Sequence, residues 1–327
     1  HLAASDRALG VLPFFHSFGY LLLWFYTRHQ AGIVFHPSPL DAAAIGDLCG
    51  TYRVSLLVVT PTFLQLYLRR CTREQFRHLR VVITGAEKLP LRLADAFRDS
   101  FGTEPVEGYG VTECSPVVAV NCPDAGASGF SHARSRRSTV GQPLPGVLVR
   151  IVDPDTWAEL PPGHPGMLLV KGPNVMDGYL GREDLTAQAM QDRWYITGDI
   201  AALDEDGFLT ITDRLSRFSK IGGEMVPHGQ VEEALHQAAG LETQAFAVTG
   251  LPDEKKGERL AVLHTLEEDQ IPAILAKVSS SGLPNLFIPS RNQFVKVDAL
   301  PLLGTGKLDL RGVKRMALER LGGDTPS

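Results

Sequence analysis

The segment Glu107-Gly108-Tyr109-Gly110-Val111-Thr112-Glu113-Cys114-Ser115-Pro116 presents an aromatic face, a hydroxyl and a carboxylate within five residues. Its two glycines let backbone approach a ligand closely, and it follows a predicted strand end, where open α/β sheets bind ligands. The set suits stacking a base, contacting a phosphate and holding Mg²⁺ through oxygen. The ordinary alternative is a glycine-bearing turn with a solvated glutamate. A second segment, Trp194-Tyr195-Ile196-Thr197-Gly198-Asp199, puts a carboxylate just past a strand. Such a carboxylate can accept both hydroxyls of a ribose, or it can be an aspartate closing a hairpin turn. The third, Thr212 to Glu224, carries Arg214, Arg217 and Lys220 at an expected domain boundary, where a run of cations is also what a solvated linker looks like. The fourth is Pro301-Leu302-Leu303-Gly304-Thr305-Gly306-Lys307-Leu308-Asp309. A lysine on a glycine-flanked loop can reach into a site as a mobile point charge. It is not a P-loop, which needs GxxxxGK followed by Ser or Thr between a strand and a helix. A surface lysine before a helix cap is its plain reading.

These residues need elements to position them. Gly32-Ile33-Val34-Phe35, Val54 to Val59 and Leu79 to Ile83 read as strands, the last two apolar on both faces and so buried. Asp41 can cap a helix running towards Cys49. Pro61 and Pro90 open helices, since a missing N–H costs nothing in a first turn. Phe18 to Tyr26 is apolar but shorter than the ~20 residues a bilayer needs, and reads as a buried helix. Strand–helix alternation of this kind implies a parallel sheet with helices on both faces. From Val140 to Asp213 the text turns rich in Pro, Gly and short strands (Val147 to Val152, Met167 to Val170, Trp194 to Thr197). Asp204-Glu205-Asp206-Gly207 reads as a hairpin turn. That region is expected to form a small antiparallel sheet or barrel. After Arg214 to Ser219 come a helix (Val231 to Ala238), strands (Ala245 to Val248, Arg259 to His264), a helix (Ile271 to Val278) and a last helix from Asp309, a normal domain's worth of α/β elements. Between Asn121 and Ser138 a Gly/Ser/Arg-rich stretch reads as a surface loop.

In this order the four segments resemble the adenylate-forming superfamily, which includes acyl-CoA synthetases, luciferases and peptide-synthetase adenylation domains. Leu12 to Gly19 (LPFFHSFG), Gly85-Ala86-Glu87-Lys88-Leu89-Pro90, Gly141 to Gly146 (GQPLPG) and Pro252 to Glu258 (PDEKKGE) extend the match over nearly the whole chain. Arg217 to Val226 and Pro301 to Lys307 look most like the acyl-ACP (acyl-carrier-protein) synthetase part of the bifunctional 2-acylglycerophosphoethanolamine acyltransferases. The resemblance implies an α/β fold fragment with a β-barrel-like subdomain and a small α+β C-terminal domain. Its expected bounds are 1–213 for the large domain (1–125 α/β, 139–213 β), 214–218 for the hinge and 219–327 for a mobile domain. It implies activation of a fatty acid to acyl-AMP and transfer to the thiol of acyl-carrier protein. A fatty acyl-CoA ligase and a non-catalytic remnant binding nucleotide or a partner are the alternatives.

By resemblance, Gly85, Ala86, Glu87, Tyr109 and Gly110 line the adenine pocket, Thr112 contacts the α-phosphate of ATP or AMP, and Glu113 holds Mg²⁺. Asp199 binds the ribose hydroxyls with Arg214 nearby, and Lys307 bridges the acyl carboxylate and α-phosphate. A carboxylate attacking a phosphate brings two anions together, so a lysine and a metal must offset their repulsion. His16 and Val111 are expected near the acyl group, Ser216 at the hinge, and Gly222, Gly223 and Glu224 on the thiol channel. Ser216 departs from the Asp or Lys common at the hinge. The acidic residue common after Val226-Pro227 gives way to Gly229 and Gln230. The family's Ser/Thr/Gly-rich phosphate loop, expected before Leu12, is absent, and the chain opens on His1 with no apolar leader. A fragment with little adenylation activity by itself is the expectation.

Composition bounds the rest. The 327 residues, 44% hydrophobic and 21% charged, predict roughly two domains. A net charge of -5 argues against a general nucleic-acid binder, whose footprint is a basic patch. The four cysteines fit neither a zinc site nor a disulfide framework, so reduced thiols in a cytoplasmic protein are expected. Association with the inner face of a membrane is allowed only through the parent protein.

Overall fold

A strand that is apolar on both faces must be covered on both faces. The computed structural model, which describes residues 2–122, 135–241, 244–302 and 308–321, meets that demand in its first unit, residues 1–211. The chain runs β1 (Arg7–Gly10), α1 (Ser17–Arg28), β2 (Gly32–Phe35), α2 (Ala42–Thr51), β3 (Leu56–Val59), α3 (Pro61–Arg70), β4 (Val81–Thr84), α4 (Leu91–Phe101), β5 (Pro105–Gly110), β6 (Val117–Val120) and β7 (Gln142–Pro143). These seven strands form one sheet in the order β2-β1-β3-β4-β5-β6-β7. Alternate residues serve opposite layers. Ala8, Leu56 and Val58 pack towards Phe18, Leu22 and Tyr26 of α1. Leu9, Leu57 and Val59 pack towards Ile45 of α2, Leu64 and Tyr67 of α3, and Phe97 of α4.

Local chemistry sets the helix ends. Asp41 accepts from the Ala44 N–H at 3.2 Å, Thr60 caps α3 ahead of Pro61, and Gly102 closes α4 with φ +82°. Two expectations need correction. The sheet is mixed, because β6 runs antiparallel to β5 after the chain reverses at residues 112–116, and β7 runs antiparallel to β6. And α1 is only half buried: Gly19 and Tyr26 are covered, while Tyr20 and Trp24 are 53% and 61% exposed. One layer of sheet covers one stripe of a helix, however apolar the rest.

A second, antiparallel sheet completes the unit: β8 (Leu148–Val152), β9 (Gly166–Lys171), α5 (Glu183–Ala189), β10 (Met190–Gln191), β11 (Trp194–Leu203) and β12 (Leu209–Arg214), whose last residues pass into the second unit. Its order is β10-β11-β9-β8, with β12 on β11. The β11–β12 turn is the predicted one, with Asp204 Oδ1 accepting from the Asp206 and Phe208 N–H groups and Gly207 at φ +79°.

The second unit, residues 212–327, contains β13 (Phe218–Ile221), β14 (Glu224–Pro227), α6 (His228–Ala239), β15 (Phe246–Asp253), β16 (Gly257–His264), α7 (Ile271–Ser279), β17 (Phe294–Lys296) and α8 (Leu310–Leu321). Its sheet runs β14-β13-β16-β15 with β17 on β16. One face packs on α6 and α7, and the other on Val313 and Ala317 of α8. The hairpin β13–β14 occupies what read as boundary text. Among the described residues no helix is long and apolar enough to cross a membrane.

Candidate functional site

The parallel register of β4 and β5 pairs Thr84 with Glu107, so the turn after β4 lies beside the glycines of β5. A Cβ on Gly85 would lie 3.2 Å from the Phe18 ring and 3.5 Å from the Gly108 carbonyl oxygen. The next residue, Ala86, holds φ +68°, a conformation that costs about 1 kcal/mol or more in a residue with a Cβ. Glu87 follows in the chain with its carboxylate already engaged. Its Oε2 accepts from the Thr62 hydroxyl at 2.6 Å and the Thr62 N–H at 3.2 Å, at the amino end of α3. Unsatisfied helix donors hold a carboxylate there.

Glycine is required at Gly110, where a Cβ would fall 2.2 Å from the Pro116 carbonyl oxygen. That close approach lets Val111 N–H donate to Pro116 O at 2.9 Å and folds residues 112–114 into a single tight turn. The turn raises Thr112 into solvent and brings its hydroxyl within 3.2 Å of Ser17 Oγ at the start of α1. His16 is thus near Thr112 in the chain path, but its Nδ1 accepts from the Phe18 N–H at 3.2 Å and caps α1. Val111 is half-buried beside the same turn.

Asp199 reaches this region because β11 is irregular. Its register against β9 shifts between Ile196 and Ile200, and Gly198 takes φ +70°. Such a bulge re-aims a side chain. Thr197 braces it, donating to Leu168 O at 2.8 Å and accepting from the Asp199 N–H at 3.0 Å. The buried Asp199 carboxylate then accepts a hydrogen bond from the Tyr109 hydroxyl through Oδ2. Burial, and next the charge of Asp199, push the Tyr109 phenol well above its ordinary range, so it stays a donor. Two segments ninety positions apart in sequence meet here.

Glu113 Oε1 accepts from the Tyr179 hydroxyl at 2.8 Å. Among the described residues no group of three or more His, Cys, Asp or Glu could hold a metal alone. Mg²⁺ commonly takes one or two carboxylates and completes its shell with phosphate oxygens and water. A single anchored glutamate fits that pattern. Tyr179 escaped the sequence reading; its only signal is an aromatic after a glycine in the Gly/Pro-rich segment between β9 and α5.

Arg214, Ser216, Gly222, Gly223 and Glu224 belong to the second unit, and Lys307 lies outside the described residues. Gly222 and Gly223, at φ +59° and +92°, form the tip of the β13–β14 hairpin, and Glu224 opens β14. Arg217, read as one cation of a solvated run, is instead largely buried in an ion pair with Glu232, and lies 3.5 Å from Asp213. Glu232 in turn accepts from the Val248 N–H at 2.8 Å.

A family model described as AMP-binding enzyme matches residues 1–180. The chain is 33% identical to a feruloyl-CoA synthase from an Amycolatopsis species, over 96% of this chain and 62% of the relative. It is 28% identical to a long-chain-fatty-acid–CoA ligase of Bacillus subtilis, over 93% of this chain and 53% of the relative. Among solved structures, ATP-bound MatB from Rhodopseudomonas palustris superposes with a TM-score of 0.79 at 26% identity, over 97% of this chain and 61% of that one. The o-succinylbenzoate-CoA synthetase MenE of Bacillus subtilis, solved with its acyl-adenylate intermediate OSB-AMP, gives 0.79 at 26% identity, over 95% and 61%. The chain spans less than two thirds of the length of each of these proteins.

Proposed function

We propose, from the premise that the chain belongs to the AMP-binding enzyme family, that it is the nucleotide-holding part of an ATP-dependent acid–thiol ligase. The observation that carries this reading is the Tyr109–Asp199 hydrogen bond. It sets an aromatic face and a ribose-sized acceptor side by side at the carboxyl end of a parallel strand, where α/β sheets take ligands. In this reading the Tyr109 ring stacks on adenine, and Gly85, Ala86 and Gly110 give it backbone room. Asp199 accepts from the ribose hydroxyls, with Arg214 close by. Thr112 donates to the α-phosphate. Glu113 is the residue that would hold Mg²⁺, whose charge offsets that of the phosphates when bound. Glu87 takes no part through its carboxylate, which α3 already uses.

The chemistry has two halves. A substrate carboxylate attacks the α-phosphorus and displaces pyrophosphate, leaving an acyl–AMP anhydride. A thiol then attacks the acyl carbon and AMP departs with the bonding electrons. Lys307 neutralises the approaching anions in the first half. His16 and Val111 border the acyl group, Ser216 is the hinge, and Gly222, Gly223 and Glu224 flank the thiol in the second half. The acceptor we favour is CoA, because the feruloyl-CoA synthase and fatty-acid–CoA ligase support it. Acyl-carrier protein rests only on the resemblance of Arg217 to Val226 and Pro301 to Lys307. Incubation of the full-length enzyme with ATP, Mg²⁺, a radiolabelled fatty acid and either acceptor tests this. Labelled acyl-CoA is expected; label on carrier protein only would overturn the choice of acceptor.

A further inference from the structure

The segment between β9 and α5 touches the 112–114 turn repeatedly. Asn174 Nδ2 donates to Cys114 O at 3.0 Å and to Val117 O at 2.9 Å. The Met176 N–H donates to Glu113 O at 2.8 Å. Only the last contact grips a side chain: the Tyr179 hydroxyl donates to Glu113 Oε1 at 2.8 Å. Tyr179 is itself fixed. Its N–H donates to Thr186 Oγ1 at 2.9 Å, and the preceding Gly178 lies so close that a Cβ there would be 2.7 Å from Thr186 Cγ2. Behind it, the buried Tyr195 of β11 hydrogen-bonds to the Tyr179 hydroxyl. Tyr195 is held in register between Val170 of β9 and Met190 of β10.

The result is a chain of donors, Tyr195 to Tyr179 to Glu113, running from the core of the second sheet to a carboxylate on the first. A free glutamate side chain loses rotamer freedom when it is fixed. Here the fold has already fixed it. Mg²⁺ tolerates little departure from octahedral geometry, so a carboxylate ordered in advance matters more to it than to a softer ion.

We propose that Tyr179, backed by Tyr195, is a positioning residue that fixes the Glu113 carboxylate through Oε1 and leaves its second oxygen for the divalent cation accompanying the nucleotide's phosphates. The inference rests on the nucleotide-binding reading above. Loss of an outer partner of this kind typically weakens metal affinity about 10- to 100-fold. The test is calorimetric titration of the full chain and its Tyr179→Phe and Tyr195→Phe variants. AMP is titrated in the presence of a chelator, and ATP over a series of Mg²⁺ concentrations, with a thermal melt of each protein. Tyr179→Phe is expected to shift the Mg²⁺ midpoint for ATP binding upward about tenfold, with AMP affinity and melting temperature little changed. Tyr195→Phe should shift the midpoint in the same direction by less. An unchanged Mg²⁺ midpoint in Tyr179→Phe overturns the proposal. So does a parallel fall in AMP affinity and melting temperature, which would make the tyrosine a fold support only. If the unmodified chain binds neither AMP nor ATP, the nucleotide-binding reading fails and takes this proposal with it.

Discussion

Asp199→Asn separates a ribose acceptor from a structural aspartate. The substitution keeps shape and one carbonyl oxygen but removes the charge. Tyr109 occupies Oδ2 in the present structure. A carboxylate has about four lone-pair sites, enough for two more donors. Hydrogen bonds to a charged acceptor contribute about 1.5–3 kcal/mol each, against about 0.5–1.5 for a neutral pair. Asparagine has one acceptor oxygen, and the Tyr109 hydroxyl competes for it. The expected loss in AMP binding is therefore about 2–4 kcal/mol, or roughly 30- to 700-fold in affinity. The assay is calorimetric titration with AMP and with 2′,3′-dideoxy-AMP, which lacks both ribose hydroxyls. The variant should lose affinity for AMP and keep the unmodified chain's weaker affinity for the dideoxy compound. Its melting temperature should stay within a few degrees, because the amide oxygen still accepts from Tyr109. Equal losses for both nucleotides would show that Asp199 supports the pocket without meeting the ribose, and the assignment would be refuted.

Gly110→Ala should cost more than about 2 kcal/mol, since the new Cβ would lie 2.2 Å from the Pro116 carbonyl oxygen, a backbone atom that cannot swing away; a variant that melts like the parent would contradict the β5–β6 pairing. His228 makes a prediction for acid. It is buried against Ser219, with Nε2 2.8 Å from the Ser219 hydroxyl, and burial followed by the charges of Arg217 and Lys314 pushes its pKa from 6.5 down to about 3. A base depressed in the fold takes up its proton on unfolding, so its stabilising contribution is complete above pH 6.5 and is lost as pH falls towards 3. The slope from one such group reaches at most about 1.4 kcal/mol per pH unit. His264, whose pKa burial also lowers, acts in the same direction. Urea melts from pH 7 to pH 4 should therefore lose stability less steeply in His228→Leu than in the parent; identical slopes would assign the acid sensitivity to other groups.

Residue type and spacing report local backbone preference, and that part was readable. Asp41 and Pro61 mark helix starts because each satisfies or avoids donors within a few residues of itself. The two-sided apolar runs of β3 and β4 specify buried strands by themselves, and the motif segments could be recognised before any folding. What the text could not decide is which of several equally good partners a polar group takes, because those partners lie far away in sequence. Glu87 meets the end of α3, Arg217 meets Glu232, and Glu113 meets a tyrosine from the segment between β9 and α5. The β11 irregularity that turns Asp199 towards Tyr109 has only Gly198 as its written sign. Strand register and sheet packing settle these choices together, since a buried carboxylate must find a donor wherever the tertiary structure delivers one.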